Sequence, residues 1–150
     1  QAIYFKKNKP IELIEVDFIG HFYLCHSDEV SPTKQCVLSV EKMHRPDLDE
    51  QMAVATGLVK SGLSQRDGNG IMLVKRGLDL ANDCFTQWDL MSDHLKEISS
   101  TMRNHGAIAT KVTGAGGGGL MIGLWEKPLS EVPPNWTPLD LNYSLLETTE

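Results

Sequence analysis

Residues 111–120 read Lys111-Val112-Thr113-Gly114-Ala115-Gly116-Gly117-Gly118-Gly119-Leu120, so that five glycines fall within six positions with Ala115 as the one interruption. Each of them costs chain entropy on folding. The stretch follows a segment, Ala107 to Val112, that reads as a β-strand, and it precedes a second apolar strand, Leu120 to Trp125. It therefore joins two strands. A flexible hairpin tip would use polar residues with one or two glycines. A run of glycines instead lets several N–H groups turn inward to form an anion-binding nest, and lets a backbone or a phosphate approach where a Cβ would block it. Gly114, Gly116 and Gly119 satisfy G-x-G-x-x-G, but that fingerprint sets a pyrophosphate on the start of a helix, and a strand follows here. Leu120, Met121 and Ile122 likewise exclude a Walker A loop, which needs Lys and then Ser or Thr after its last glycine.

Working outward, the periodicity predicts strands at Ala2 to Lys6, Ile11 to Val16 and Ile19 to His26, with a turn near Asp17. At Ser31 the pattern changes. Ser31 is placed to cap a helix and Pro32 suits its first position; Cys36, Val37, Val40 and Met43 then recur at helical spacing until Pro46 ends the run. Asp47, Asp49 and Glu50 open a second helix whose apolar face is Leu48, Met52, Ala55 and Val59, lasting to Gly62. Asp67 to Gly70, D-G-N-G, reads as a turn. Ile71, Val74, Leu78, Ala81 and Phe85 mark a third helix, and Met91, Leu95, Ile98 and Met102 a fourth that Gly106 terminates in a left-handed cap. Beyond the strands that flank the glycines, a proline-rich loop precedes a last alternating strand through Leu139, Leu141, Tyr143 and Leu145. Strands, then helices, then strands predict one α+β domain, an antiparallel sheet with helices packed on one face.

Composition sets wider limits. The 150 residues, 41% hydrophobic and 23% charged, suffice for one core and are too few for two full domains. A formal net charge of −6 argues against nucleic acid and against an anionic membrane surface as partners. Cys25, Cys36 and Cys84 are odd in number and widely spaced, which reads as reduced thiols in a cytoplasmic protein. The chain begins at Gln1 inside strand-like sequence, with no Met and no leader, and reads as a piece of a longer polypeptide.

The glycine run carries a resemblance. Gly106-Ala107 followed by Lys111-Val112-Thr113-Gly114-Ala115-Gly116-Gly117-Gly118-Gly119 resembles the third signature motif of the GHMP kinases, the superfamily of galactokinase, homoserine kinase, mevalonate kinase and phosphomevalonate kinase. Ser31-Pro32-Thr33-Lys34 is similar to the S-T-K turn that opens the first helix of the mevalonate kinase C-terminal half, and Asn82, Phe85, Ser92, Leu95 and Ile98 resemble that family's helix pair before the loop. Two departures stand out: Leu120 where mevalonate kinases often have Cys, and Pro32 within the usual S-T. They leave the acceptor open, since heptose kinases have a closely similar loop with Ser in place of Thr113. The resemblance implies a ferredoxin-like C-terminal domain spanning residues 1–150, with the loop Thr113, Gly114, Ala115, Gly116, Gly117, Gly118 and Gly119 at an interdomain cleft near the transferred phosphoryl group. It adds Ser31, Thr33 and Asn82 as substrate-side residues. It further implies ATP and Mg²⁺ as cofactors, bound mainly by an N-terminal domain absent from this chain, along with the catalytic base and the metal ligands. No catalytic residue and no metal site is expected within residues 1–150. The partners implied are that N-terminal domain and a small-molecule alcohol, with a homodimer left open. A stand-alone module that binds an anionic metabolite is the alternative from another class.

Two further constellations weigh less. His21 and His26 bracket a strand beside Cys25, but neighbouring strand residues face opposite ways, so no shared metal is expected. Asp79 and Asp83 lie one helical turn apart, with Lys75 a turn before, and read as a solvated face.

Overall fold

The structure, a computed structural model, describes residues 2–141. In chain order it runs β1 (Ala2–Tyr4), β2 (Glu12–Ile14), β3 (His21–His26), α1 (Thr33–Met43), α2 (Pro46–Leu63), α3 (Gly68–Gln87), α4 (Asp93–Asn104), β4 (Ala109–Val112), β5 (Leu120–Trp125) and β6 (Trp136–Leu139). β1 and β2 form a separate antiparallel pair, while the main sheet has the order β4-β5-β3-β6 with every neighbouring pair antiparallel. The α+β class, the antiparallel sheet and the four helices are those expected.

Alternation along the central strands feeds two apolar clusters. Phe22, Leu124 and Ala109 pack with Ile71, Val74 and Leu78 of α3, whereas Tyr23, Cys25, Val112, Met121 and Trp125 pack with Leu95, Ile98 and Met102 of α4. Since adjacent strand residues point to opposite faces, the helical cover is divided more finely than a one-faced sandwich. α3 reaches both clusters, through Cys84 and Phe85 at its C-terminal end. α2 lies close along α3: a Cβ on Gly62 would stand 2.6 Å from the Gly70 carbonyl, and one on Gly77 would stand 2.6 Å from that of Ala55. Glycine at those crossings lets the two backbones approach.

Several local expectations are corrected. Ser31 does not cap α1; Pro32 takes the cap position and no side chain caps the helix. Asp67 to Gly70 is the start of α3 rather than a free turn, because the Asp67 carboxylate accepts from the Gly70 amide at 2.9 Å and so satisfies a first-turn donor. Pro46 opens α2, where its missing N–H costs nothing. The last strand runs from Trp136 to Leu139, drawn in by burial of Trp136 against Trp125; Pro138 is tolerated because β6 is an edge strand. Tyr143 and Leu145, expected in that strand, lie outside the described residues.

Candidate functional site

The glycine loop closes the end of the sheet where β4 and β5 meet, and its neck is fixed by the Thr113 amide donating to the Leu120 carbonyl at 2.7 Å. All five glycines have positive φ, from +67° at Gly117 to +150° at Gly118, a range that L-residues with side chains rarely adopt. Gly116 and Gly118 are buried, so the loop is not a solvent-exposed tip. Its cradle comes from three separate segments. The Gly117 amide donates to the Leu90 carbonyl at 2.8 Å, the Gly119 amide to the Glu29 carbonyl at 3.2 Å, and the Ser27 amide to the Gly119 carbonyl at 2.8 Å. Ser31 Oγ donates to the Gly116 carbonyl at 2.6 Å, and Cys36 Sγ lies 3.6 Å from the same oxygen.

The absence of side chains in the loop has a direct steric cause. A Cβ on Gly116 would lie 2.7 Å from Leu90 Cβ, one on Gly118 would lie 2.8 Å from the Glu29 carbonyl, and one on Gly117 would lie 3.1 Å from Cys36 Sγ. Gly114 and Gly119 face open space. Not every amide of the loop is free for a ligand: those of Gly117 and Gly119 hold the loop to the protein. The amides of Gly114, Ala115, Gly116 and Gly118 have no hydrogen-bond acceptor among the described residues.

Ser31 thus joins the loop as an anchor. Thr33 is exposed at the first turn of α1. Asn82 lies on the stripe of α3 between Leu78 and Phe85, with its Oδ1 buried and unpartnered among the described residues. α1 begins beside the loop, as Pro32 Cδ would lie 3.3 Å from a Cβ on Gly117. Its first turn has no acidic residue and carries Lys34, the opposite of what the helix dipole favours unless an anion is to be bound there. A cavity of about 250 Å³ opens between α1 and the loop, among Pro32, Cys36, Trp88, Leu90 and Gly117. The larger depression, about 440 Å³, lies at the opposite end of β3 around Gly20, His21 and Pro138, remote from the loop.

Three cradle residues escaped the sequence reading. Glu29 accepts from the loop with its backbone and from Ser92 Oγ with its carboxylate at 2.6 Å, tying the loop to the residue that caps α4. Leu90 contributes a carbonyl, which any residue would supply, so no sequence signal marked it. Lys111 has its Nζ 4.4 Å above the Phe85 ring centroid and donates to the Val112 carbonyl, with no carboxylate paired to it among the described residues. Burial lowers its pKa to about 8. The run of apolar residues around a lysine in a strand was the signal that could have found it.

His21 and His26 sit at opposite ends of β3, with His26 Nδ1 3.2 Å from Asp28. Among the described residues no group of three His, Cys, Asp or Glu side chains is placed to hold a metal ion. Asp79 pairs with Lys75 at 2.7 Å and with Arg103 at 3.2 Å, an ordinary surface network. The three cysteines are free and buried, and burial raises the thiol pKa of Cys25 and of Cys84. No helix among the described residues is long and apolar enough to cross a membrane.

A search of curated protein sequences finds no match to the chain. A family profile described as GHMP kinases C terminal matches residues 68–132, from the start of α3 through the glycine loop and β5. Among solved structures, L. major mevalonate kinase in complex with R-mevalonate is similar at 22% identity and a TM-score of 0.61, over 83% of this chain and 40% of that one. Methanococcus jannaschii mevalonate kinase is similar at 20% identity and a TM-score of 0.63, over 82% of this chain and 38% of that one. Mevalonate kinase from methicillin-resistant Staphylococcus aureus follows at 18% and 0.56, over 84% and 40%. At these identities the likeness to the solved structures is one of fold. The chain spans about two-fifths of the length of those structures, at 38–40% of each. The family pattern thus covers residues 68–132, and the fold around it is shared with the solved mevalonate kinases.

Proposed function

We propose that this chain is the C-terminal half of an ATP-dependent kinase that phosphorylates a small-molecule alcohol in the cytoplasm, with mevalonate the first acceptor to test. In this reading the glycine loop lines a cleft shared with an N-terminal domain. The observation that carries it is the loop itself: four amides, of Gly114, Ala115, Gly116 and Gly118, without acceptors among the described residues, in a loop whose glycines all have positive φ and whose cradle no Cβ could enter at Gly116 or Gly118. Phosphoryl transfer asks a protein chiefly for positioning and for charge stabilisation. Preorganised N–H donors in a rigid loop, beside the N-terminus of α1 and Lys34, fit a phosphate. ATP with Mg²⁺ supplies the group to be transferred, and the N-terminal domain supplies the base and the metal ligands. Residues of this chain orient the phosphates, with Ser31 fixing the Gly116 carbonyl and so the direction of the neighbouring amides.

The test is an ATP-dependent assay of the full-length protein against mevalonate, galactose, a heptose and homoserine, read as ADP release and confirmed by identification of the phosphorylated product. We expect turnover of mevalonate well above the others. Preference for a sugar would move the assignment to the sugar kinases of the same superfamily. Phosphate binding without turnover of any alcohol would favour a metabolite-binding module and overturn the kinase reading.

A further inference from the structure

We propose that Lys111 is a positioning residue of the glycine loop, its ammonium holding the neck of the loop through the Val112 carbonyl and lending positive charge to a phosphate bound by the loop amides. The inference deepens the phosphate-site reading given above and rests on it.

Lys111 lies on β4 opposite Ile122 of β5, with its side chain directed to α3. The Val112–Thr113 peptide that accepts the ammonium at its oxygen donates through its nitrogen to the Leu120 carbonyl, where the chain leaves the loop. The cation therefore stands at one end of a two-bond relay across the neck, and hydrogen bonds in such a chain polarise one another. The Phe85 ring that carries the cation also supports the loop from beneath, since a Cβ on Gly116 would lie 3.1 Å from Phe85 Cδ1. The ammonium thus touches both the neck of the loop and the ring that floors it.

Among the described residues the charge has no counter-ion. The charged groups on the helices packed around β4 are Lys75, Arg76, Asp79 and Asp83 of α3 and Asp93, Lys96, Glu97 and Arg103 of α4, where Asp93 pairs with Lys96 and Glu97 lies against His94, while Ile122 opposite on β5 is apolar. Asp79 is paired with Lys75 and Arg103, and Asp83 accepts from Gln51 and Gln87. One turn before Phe85, Asn82 Oδ1 is buried without a partner among the described residues. An unpaired buried cation is unfavourable for a fold, and an apolar side chain would pack the site better. An anion arriving at the loop supplies the missing complement.

The experiment compares Lys111→Met and Lys111→Arg in the full-length protein, using MgATP in steady-state kinetics and tripolyphosphate in titration calorimetry. Loss of one charge-assisted interaction is expected to raise both the KM for MgATP and the Kd for tripolyphosphate about tenfold in Lys111→Met, with the alcohol KM essentially unchanged and the thermal midpoint no lower. Lys111→Arg should recover most of the affinity. Wild-type affinity for tripolyphosphate should weaken above pH of about 8, and Lys111→Arg, which stays charged, should remove that weakening. Wild-type affinity in Lys111→Met, or a loss that accompanies a lowered midpoint and is not recovered by Arg, overturns the proposal. If the wild type binds tripolyphosphate in a Lys111-dependent way but turns over no alcohol, the kinase reading fails and this inference stands. If the wild type binds neither probe, both fail.

Discussion

Lys111 is protonated at neutral pH at a cost to the folded state. Burial lowers its pKa from 10.5 to about 8, so folding disfavours the charged form. Below about pH 8 the lysine is protonated folded and unfolded alike, and the full penalty applies. Between about pH 8 and 10.5 the folded chain gives up the proton first, the unfolded chain binds more protons, and stability rises with pH. The shift corresponds to about 3 kcal/mol at neutral pH, at roughly 1.4 kcal/mol per pKa unit. Lys111→Met is therefore expected to be more stable than wild type at pH 7, by up to about 3 kcal/mol, with the difference shrinking toward pH 10.5. Urea unfolding of both proteins at the two pH values measures it. A less stable Met variant at pH 7 would show that the ammonium contributes more to the fold than its desolvation removes.

At the scale of the element, the glycine loop divides into positions that are packed and positions that are only bent. Gly118 combines φ +150° with a Cβ position 2.8 Å from the Glu29 carbonyl, whereas Gly114 has φ +70° and open space around it. Gly114→Ala meets backbone strain alone, about 1 kcal/mol. Gly118→Ala must also push back the segment that receives the Gly119 amide, and should cost roughly 2–4 kcal/mol. Denaturant midpoints for the pair check this, and equal losses would mean that the cradle yields easily. The helices were legible from their apolar spacing because burial repeats every third or fourth residue whatever the partner. Their ends were less so. Ser31 had the chemistry of a cap but donates to Gly116 instead, and Asp67 looked like a turn residue but caps α3. Both outcomes depend on what lies across from the residue, which a local pattern does not contain.

For the whole molecule, the loop cradle contributes amides, carbonyls and the Ser31 hydroxyl, and the Glu29 carboxylate is engaged by Ser92. Among the described residues no cluster of carboxylates, imidazoles or thiols stands ready to hold a metal ion. Positioning two substrates needs both walls of a cleft. We therefore expect residues 1–150, expressed alone, to show no ATP-dependent turnover of mevalonate in a coupled ADP assay, whereas the full-length protein does. Turnover by the isolated domain would mean that base and metal ligands lie within it.

Sequence by itself determined the class of fold, the order of strands and helices, and the special character of residues 113–119. The reasons are local: apolar period follows secondary structure, and five glycines between two strands have few structural uses. Tertiary structure alone decided which loop amides remain free, because Leu90 and Glu29 take those of Gly117 and Gly119 through carbonyls that every residue possesses. It also decided that Ser31 anchors the loop while Thr33 stays exposed, and that Lys111 lies over Phe85 with no carboxylate paired to it among the described residues. Those facts arise from segments as far apart as Glu29, Leu90 and Gly119 meeting at one end of the sheet, and contacts between distant segments leave no periodic mark in the chain.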